Sequence, residues 1–266
     1  MLTRWPQLDA MLDLQFQPVV NDNPTCFSRD QIAHYNEQGY IKPFPLFEGD
    51  ELKRIQQFFA GNAAVMERRK ARAGTFISQH HLDRGLYDII AHPRTVGYLQ
   101  DLIGPNVVCH VSDFISKPPN QTKGGTHHQD ASFNANDARC PIVWIAIEDA
   151  DIENGCMWFI PGSHKLGLRE CDEGHFVINP EQYGDEIPMQ VPAGHAIFMT
   201  DLTMHSSPAN RSKDRYRPAL TATYVPAEAK VYEDRNLWAV MCSGEDVHGY
   251  WKPHPVPAPD GPRLFG

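Results

Sequence analysis

The stretch Thr126-His127-His128-Gln129-Asp130 sets metal-ligating side chains side by side. In an extended chain, residues i and i+2 point to one side, so His128 and Asp130 can grip one ion while His127 turns away. A second His-x-Asp, His81-Leu82-Asp83, runs straight into the helical pattern Leu86, Ile89, Ile90 and reads as a helix start. Two ligands do not hold a catalytic metal firmly. The third candidate is His205, in Thr203-Met204-His205-Ser206-Ser207-Pro208, just after a predicted strand. Two His and one carboxylate on one face of an octahedral ion leave the opposite positions open, as non-haem iron(II) and oxygen chemistry requires. Zinc takes three ligands and one water, and spacing alone admits either metal.

Downstream, Arg211, Arg215 and Arg217 crowd together. Arg217 opens an apolar strand, where a half-buried charge needs a partner. A guanidinium grips carboxylate with two parallel hydrogen bonds, so a dicarboxylate ligand would suit it. The other histidines read blandly. His164 sits in the turn Pro161-Gly162-Ser163-His164 and bonds to backbone. His110 and His195 lie in or beside strands. His34, His80, His92, His175, His248 and His254 read as solvated or loop residues.

These residues need a frame. Ser28-Arg29-Asp30-Gln31 reads as a capping box opening a short helix that Gly39 ends. Tyr40 to Phe44 is a strand stub. Glu48 to about Arg69 has Leu52, Ile55, Phe58 and Phe59 at helical spacing. Leu86 to Leu102 repeats that pattern around a break at Pro93. After Gly104-Pro105 the texture turns to short strands: 106–117, 142–147, 156–160, 196–200 and 219–225, with Asn154-Gly155 as a tight turn. That spacing predicts an antiparallel sandwich or barrel. The expected organisation is one domain over 1–266: a mostly helical part at 1–105, a β core at 106–226, and a Pro-rich C-terminal arm at 227–266. The first 27 residues and the arm are candidates for a lid or for a subunit contact in a homo-oligomer.

The chain of 266 residues carries a net charge of −9, which argues against a nucleic-acid partner. No run of about 18 apolar residues is present, so no membrane span is expected. The six cysteines are scattered without a C-x-x-C pair, which argues against structural zinc and a disulfide scaffold. A soluble protein of the reducing cytoplasm is the expectation, acting on a small molecule.

The sequence resembles the phytanoyl-CoA dioxygenase family of Fe(II)- and 2-oxoglutarate-dependent oxygenases from about residue 28 to 226. The likeness is carried, in order, by Gly39-Tyr40, Lys117-Pro118-Pro119, His128-Gln129-Asp130, Trp144-Ile145-Ala146-Ile147, Asn154-Gly155, Pro161-Gly162-Ser163-His164, and His205-Ser206-Ser207 with Asn210 and Arg217. The resemblance implies a mainly β fold with α, a double-stranded β-helix (a cupin-like jelly roll) braced by N-terminal helices. It implies that His128, Asp130 and His205 bind Fe(II). Arg217 would pair with the distal carboxylate of 2-oxoglutarate, assisted by Ser207, with Trp144 lining the pocket and Thr126 touching the cosubstrate. Ser206 stands where Gly is common, and His195 where Asp is common. The implied reaction consumes O2 and 2-oxoglutarate, releases succinate and CO2, and hydroxylates a small metabolite or natural-product intermediate. Related halogenases have Ala or Gly at the position of Asp130, so an intact carboxylate favours hydroxylation, or else desaturation, cyclisation or ring rearrangement. Phe133, Asn134, Asn136 and Tyr224 are the candidates to face the substrate. A cupin-like metal hydrolase or isomerase, and a non-catalytic binding module, are the readings from other classes.

Overall fold

The computed structural model describes residues 14–73, 78–132, 140–169, 179–231, 236–258 and 263–265. The helical part begins as its caps dictate. In α1 (Arg29–Gln38), the Ser28 hydroxyl accepts from the Gln31 N–H while the Gln31 side chain accepts from the Ser28 N–H. Gly39 closes it at φ 89, where a Cβ would collide with the Thr203 hydroxyl and the His164 ring. After β1 (Tyr40–Pro45) come α2 (Gly49–Ala73), α3 (Arg84–Ile90) and α4 (Pro93–Ile103). Pro93 sits at the first position of α4, so the expected break is a helix start. Asp83 caps α3 through the Leu86 N–H, which gives the second His-x-Asp a structural role. The segment before α1 docks on α4, where the buried Asp101 carboxylate accepts the N–H groups of Thr25, Cys26 and Phe27.

The remaining strands are β2 (Val107–Lys117), β3 (Gly125–His128), β4 (Pro141–Ala146), β5 (Met157–Phe159), β6 (Ile187–Met189), β7 (His195–Thr200), β8 (His205–Ser207), β9 (Arg217–Pro226) and β10 (Val240–Ser243). They form two antiparallel sheets. The larger has the order β1-β7-β4-β9-β2-β10 and the smaller β3-β8-β5-β6. This is the double-stranded β-helix expected.

The large sheet is covered on both faces, and its central strands alternate accordingly. Ile142, Trp144, Ala146, Ile197, Met199 and Ala219 point between the sheets, onto Met157 and Phe159. Val143, Ile145, Phe198, Leu220, Ala222 and Tyr224 point outward against Ile55, Ile89, Ile90 and Leu99 of the helices. Every residue of β4 is buried, which is why it reads as a continuous apolar run.

The C-terminal region differs from an extended arm. β10 pairs with β2, Trp251 is fully buried with its indole N–H on the Ala229 carbonyl, and Phe265 stacks on Phe47. Trp251, Ala239 and Ala229 share one buried cluster with Val108 of β2 and Val225 of β9. His80, expected in solvent, is fully buried. Its ring bridges the Ser112 hydroxyl at 2.7 Å and the Trp238 carbonyl at 2.8 Å.

Candidate metal centre and anion pocket

The small sheet sets the two histidines opposite each other. β3 and β8 pair with His128 against His205, and their rings lie 4.3 Å apart. β3 ends at His128, and Asp130 opens a one-turn 3-10 helix, Asp130–Ser132. The His-x-Asp pair is therefore not wholly on a strand. The turn still brings the carboxylate back: His128 Nε2 is 3.2 Å from Asp130 Oδ1, and His205 Nε2 is 3.9 Å from Asp130 Oδ2. One ligand atom from each residue lies within 4.8 Å of the others.

Each histidine is oriented by its own strand. His128 Nδ1 is 2.7 Å from the Thr126 carbonyl, and His205 Nδ1 is 3.0 Å from the Thr203 carbonyl. A carbonyl can only accept, so both Nδ1 atoms carry a proton, which leaves each Nε2 as the ligand atom once it is deprotonated. Thr126 thus acts through its backbone, and its side chain is exposed. Burial, then the charge of His128, hold His205 down to about 4, so it is neutral and ready to ligate at pH 7. Burial opposes charge on both His128 and Asp130. Their mutual hydrogen bond and the charges around them win, raising His128 and lowering Asp130. The donor set is two neutral-capable imidazoles and one ionised carboxylate, which fits Fe(II).

Between the two ligands, Gln129 points the other way, into the protein. Its amide donates to the Gly167 and Leu202 carbonyls and accepts from the Arg169 N–H. This buried side chain pins the turn that carries both ligands, a role the sequence reading missed.

Two residues along β8 from His205, Ser207 meets a buried cation. Arg217 is 1% exposed. One nitrogen, Nη2, donates to Ser207 Oγ at 3.3 Å. Nε and Nη1 are buried without a hydrogen-bond partner. The guanidinium lies 5.3 Å from the centroid of the Trp144 ring. Burial pushes its pKa down to about 10. The free Nη1, with the second N–H of Nη2, makes the end-on fork that a carboxylate fills, and Nε is left for a further acceptor. Arg215, by contrast, is a surface pin paired with Asp151 and Glu153. Lys117, absent from the expected site, is 8% exposed. Its ammonium donates to the carbonyls of Ser207, at 2.6 Å, and Pro208.

The substrate candidates fare differently. Phe133, Asn134 and Asn136 lie outside the described residues. Tyr224 is corrected: it is fully buried on the helix-facing side, and its hydroxyl donates to the Ile90 carbonyl at 2.9 Å. Alternation from Arg217 sends residues 219, 221 and 223 inward and 224 outward.

A metal face of two histidines and an aspartate, set on a jelly roll beside a buried free guanidinium, defines a 2-oxoglutarate-dependent oxygenase. The phytanoyl-CoA dioxygenase (PhyH) profile matches residues 35–219, and the chain belongs to this family. It is similar to the peroxisomal phytanoyl-CoA dioxygenase of Rattus norvegicus, at 26% identity over 81% of this chain and 73% of the relative. It is also similar to phytanoyl-CoA dioxygenase domain-containing protein 1 of Danio rerio, at 32% identity over 59% of this chain; the chain spans 58% of that relative's length. Among solved structures, the epimerase SnoN in complex with Fe3+, alpha ketoglutarate and nogalamycin RO has the same fold, with a TM-score of 0.64 and 22% identity over 77% of this chain and 85% of SnoN. The protein is an Fe(II)/2-oxoglutarate-dependent oxygenase whose cosubstrates are 2-oxoglutarate and O2.

Proposed function

We propose that the enzyme hydroxylates a small metabolite or natural-product intermediate. The balance is one O2 and one 2-oxoglutarate consumed per C–H oxidised. One oxygen atom enters the product and the other enters succinate, with CO2 released. The observation that carries the reading is Arg217: a fully buried guanidinium with two unpaired nitrogens beside the His-Asp-His face. A metal hydrolase would need neither Arg217 nor 2-oxoglutarate, and a non-catalytic module would be expected to break the metal face, which is intact.

His128, Asp130 and His205 would hold the iron, which supplies the oxidising chemistry when bound. Arg217 would clamp the distal carboxylate of 2-oxoglutarate, with Ser207 orienting the guanidinium and Trp144 closing the pocket over it. The Thr126 carbonyl keeps His128 in its ligating tautomer. The Asp130 carboxylate fills the position that a halide would otherwise take, which supports hydroxylation over halogen transfer. Phe133 and Asn134, next along the chain from Asp130, would meet the substrate. Among the described residues no helix is long and apolar enough to cross a membrane. Cys26, Cys109, Cys156 and Cys242 are free thiols, as a reducing, cytoplasmic setting would keep them.

The test is a metabolite library screened with Fe(II), 2-oxoglutarate and O2, read by succinate formation and product mass. A gain of one oxygen supports hydroxylation; a loss of two hydrogens reassigns the reaction to desaturation or cyclisation. No succinate with any compound, together with no binding of 2-oxoglutarate, would defeat the oxygenase reading.

A further inference from the structure

Lys117 closes β2 directly opposite Arg217, which opens β9. Both side chains are buried, at 8% and 1% exposure, and neither has a carboxylate partner among the described residues. Burying two like charges side by side is costly unless an anion joins them. Burial and the charge of Arg217 push the Lys117 pKa down to about 7. The ammonium is also fixed mechanically. It grips the Ser207 and Pro208 carbonyls at the end of β8, the strand that begins at His205. That same turn is squeezed from two sides. A Cβ on Gly124 would lie 2.6 Å from the backbone of Pro208 and Ala209, and one on Gly155 would lie 2.5 Å from the Pro208 carbonyl. Asn210 ties it to β2 a second time, donating to the Lys117 carbonyl at 3.0 Å.

We propose that Lys117 is a positioning residue of the anion pocket: it locks the Ser207-Pro208 backbone against Arg217 and adds a second buried positive charge that selects a 2-oxo acid with a distal carboxylate. This rests on the 2-oxoglutarate reading of Arg217. The ammonium acts at long range on the carboxylate and at short range on the Ser207 carbonyl, fixing the residue whose hydroxyl accepts from one corner of the guanidinium. A 2-oxo acid that stops short of Arg217 should not sense it.

Pyruvate supplies that control, because it has the same chelating end and no distal carboxylate. The experiment measures anaerobic affinities of 2-oxoglutarate and pyruvate for the Fe(II)-loaded wild type and for Lys117→Met. The ratio of the two affinities should fall by about tenfold or more in the variant, through the lost attraction of a buried charge and the loosened Ser207 backbone beside Arg217. Fe(II) affinity should be unchanged. A smaller fall in the ratio, or an equal loss on both ligands, overturns the proposal. Lys117→Gln, whose amide can still reach a carbonyl, is read by the same ratio and keeps the test standing if the Met variant does not fold. A wild type that binds pyruvate and 2-oxoglutarate equally well overturns the reading of Arg217 itself, and this inference with it.

Discussion

Replacing Arg217 by Met should separate ligand recognition from folding. In the wild type, Nε and Nη1 await an acceptor in a buried site, so the guanidinium contributes little to the stability of the ligand-free chain. Two charge-assisted hydrogen bonds to a carboxylate contribute about 1.5–3 kcal/mol each. Their loss should weaken 2-oxoglutarate binding by about 3–6 kcal/mol, or roughly two to four decades. Thermal unfolding of the anaerobic Fe(II) protein reads this directly. At 2-oxoglutarate about 100-fold above its Kd, the wild type gains about 2.7 kcal/mol. For a chain of this size that is a Tm rise of about 5–10 °C. At the same concentration Arg217→Met gains at most about 0.4 kcal/mol, which is close to no shift. The Tm without 2-oxoglutarate should hold or rise, because Met fills the volume without an unpaired charge. A variant that keeps the wild-type ligand shift would refute the assignment of Arg217. A variant that loses stability without ligand would show that the guanidinium is structural.

Asp130→Ala removes the carboxylate of the metal face and should abolish succinate-coupled hydroxylation; retained wild-type turnover would remove Asp130 from the ligand set. Gln129→Leu strands the Gly167 and Leu202 carbonyls and the Arg169 N–H, and should cost on the order of 3 kcal/mol in urea unfolding. It should also weaken Fe(II) about tenfold or more, measured by metal titration, because the turn bearing both ligands loosens. Burial holds His80 at about 4, against 6.5 for a free imidazole, despite the hydrogen bond to the Trp238 carbonyl. Between those values only the unfolded chain takes up the proton, so stability is intact above about 6.5 and falls as pH drops towards 4. That loss is about 3 kcal/mol for this one group, and His80→Asn should flatten the slope of unfolding free energy against pH by that amount.

Local rules carried much of the fold. The capping box at Ser28, the Gly39 stop and the Pro93 restart are chemistry within a few residues, and they stand where the sequence puts them. β2, β4, β7 and β9 follow from apolar content. The strands that passed unseen, β6, β8 and β10, are three or four residues long. They exist because of their partners: β6 is held by β5, β8 by β3 and β5, and β10 by β2. The metal face was legible because His128 and Asp130 stand two residues apart and His205 follows a recognisable strand. Tyr224 was misplaced although its parity was readable: it lies seven residues from Arg217, an odd step on a strand whose pairing irregularity falls on β2, between Cys109 and Val111. His80 could not be read, because its partners lie 32 and 158 residues away. The same holds for Gln129, bound to carbonyls 38 and 73 residues away. Lys117 was visible as part of Lys117-Pro118-Pro119, but its pairing with Arg217 required the register of β2 against β9.

The central claim is that one iron, held by His128, Asp130 and His205, receives 2-oxoglutarate in the same cavity as Arg217. Anaerobic titration of the Fe(II)-loaded protein with 2-oxoglutarate, followed by visible charge-transfer absorption, tests it most directly. The account predicts a band that saturates at one 2-oxoglutarate per chain in the wild type and is absent from His205→Ala. No band in the wild type, or an undiminished band in His205→Ala, would contradict it.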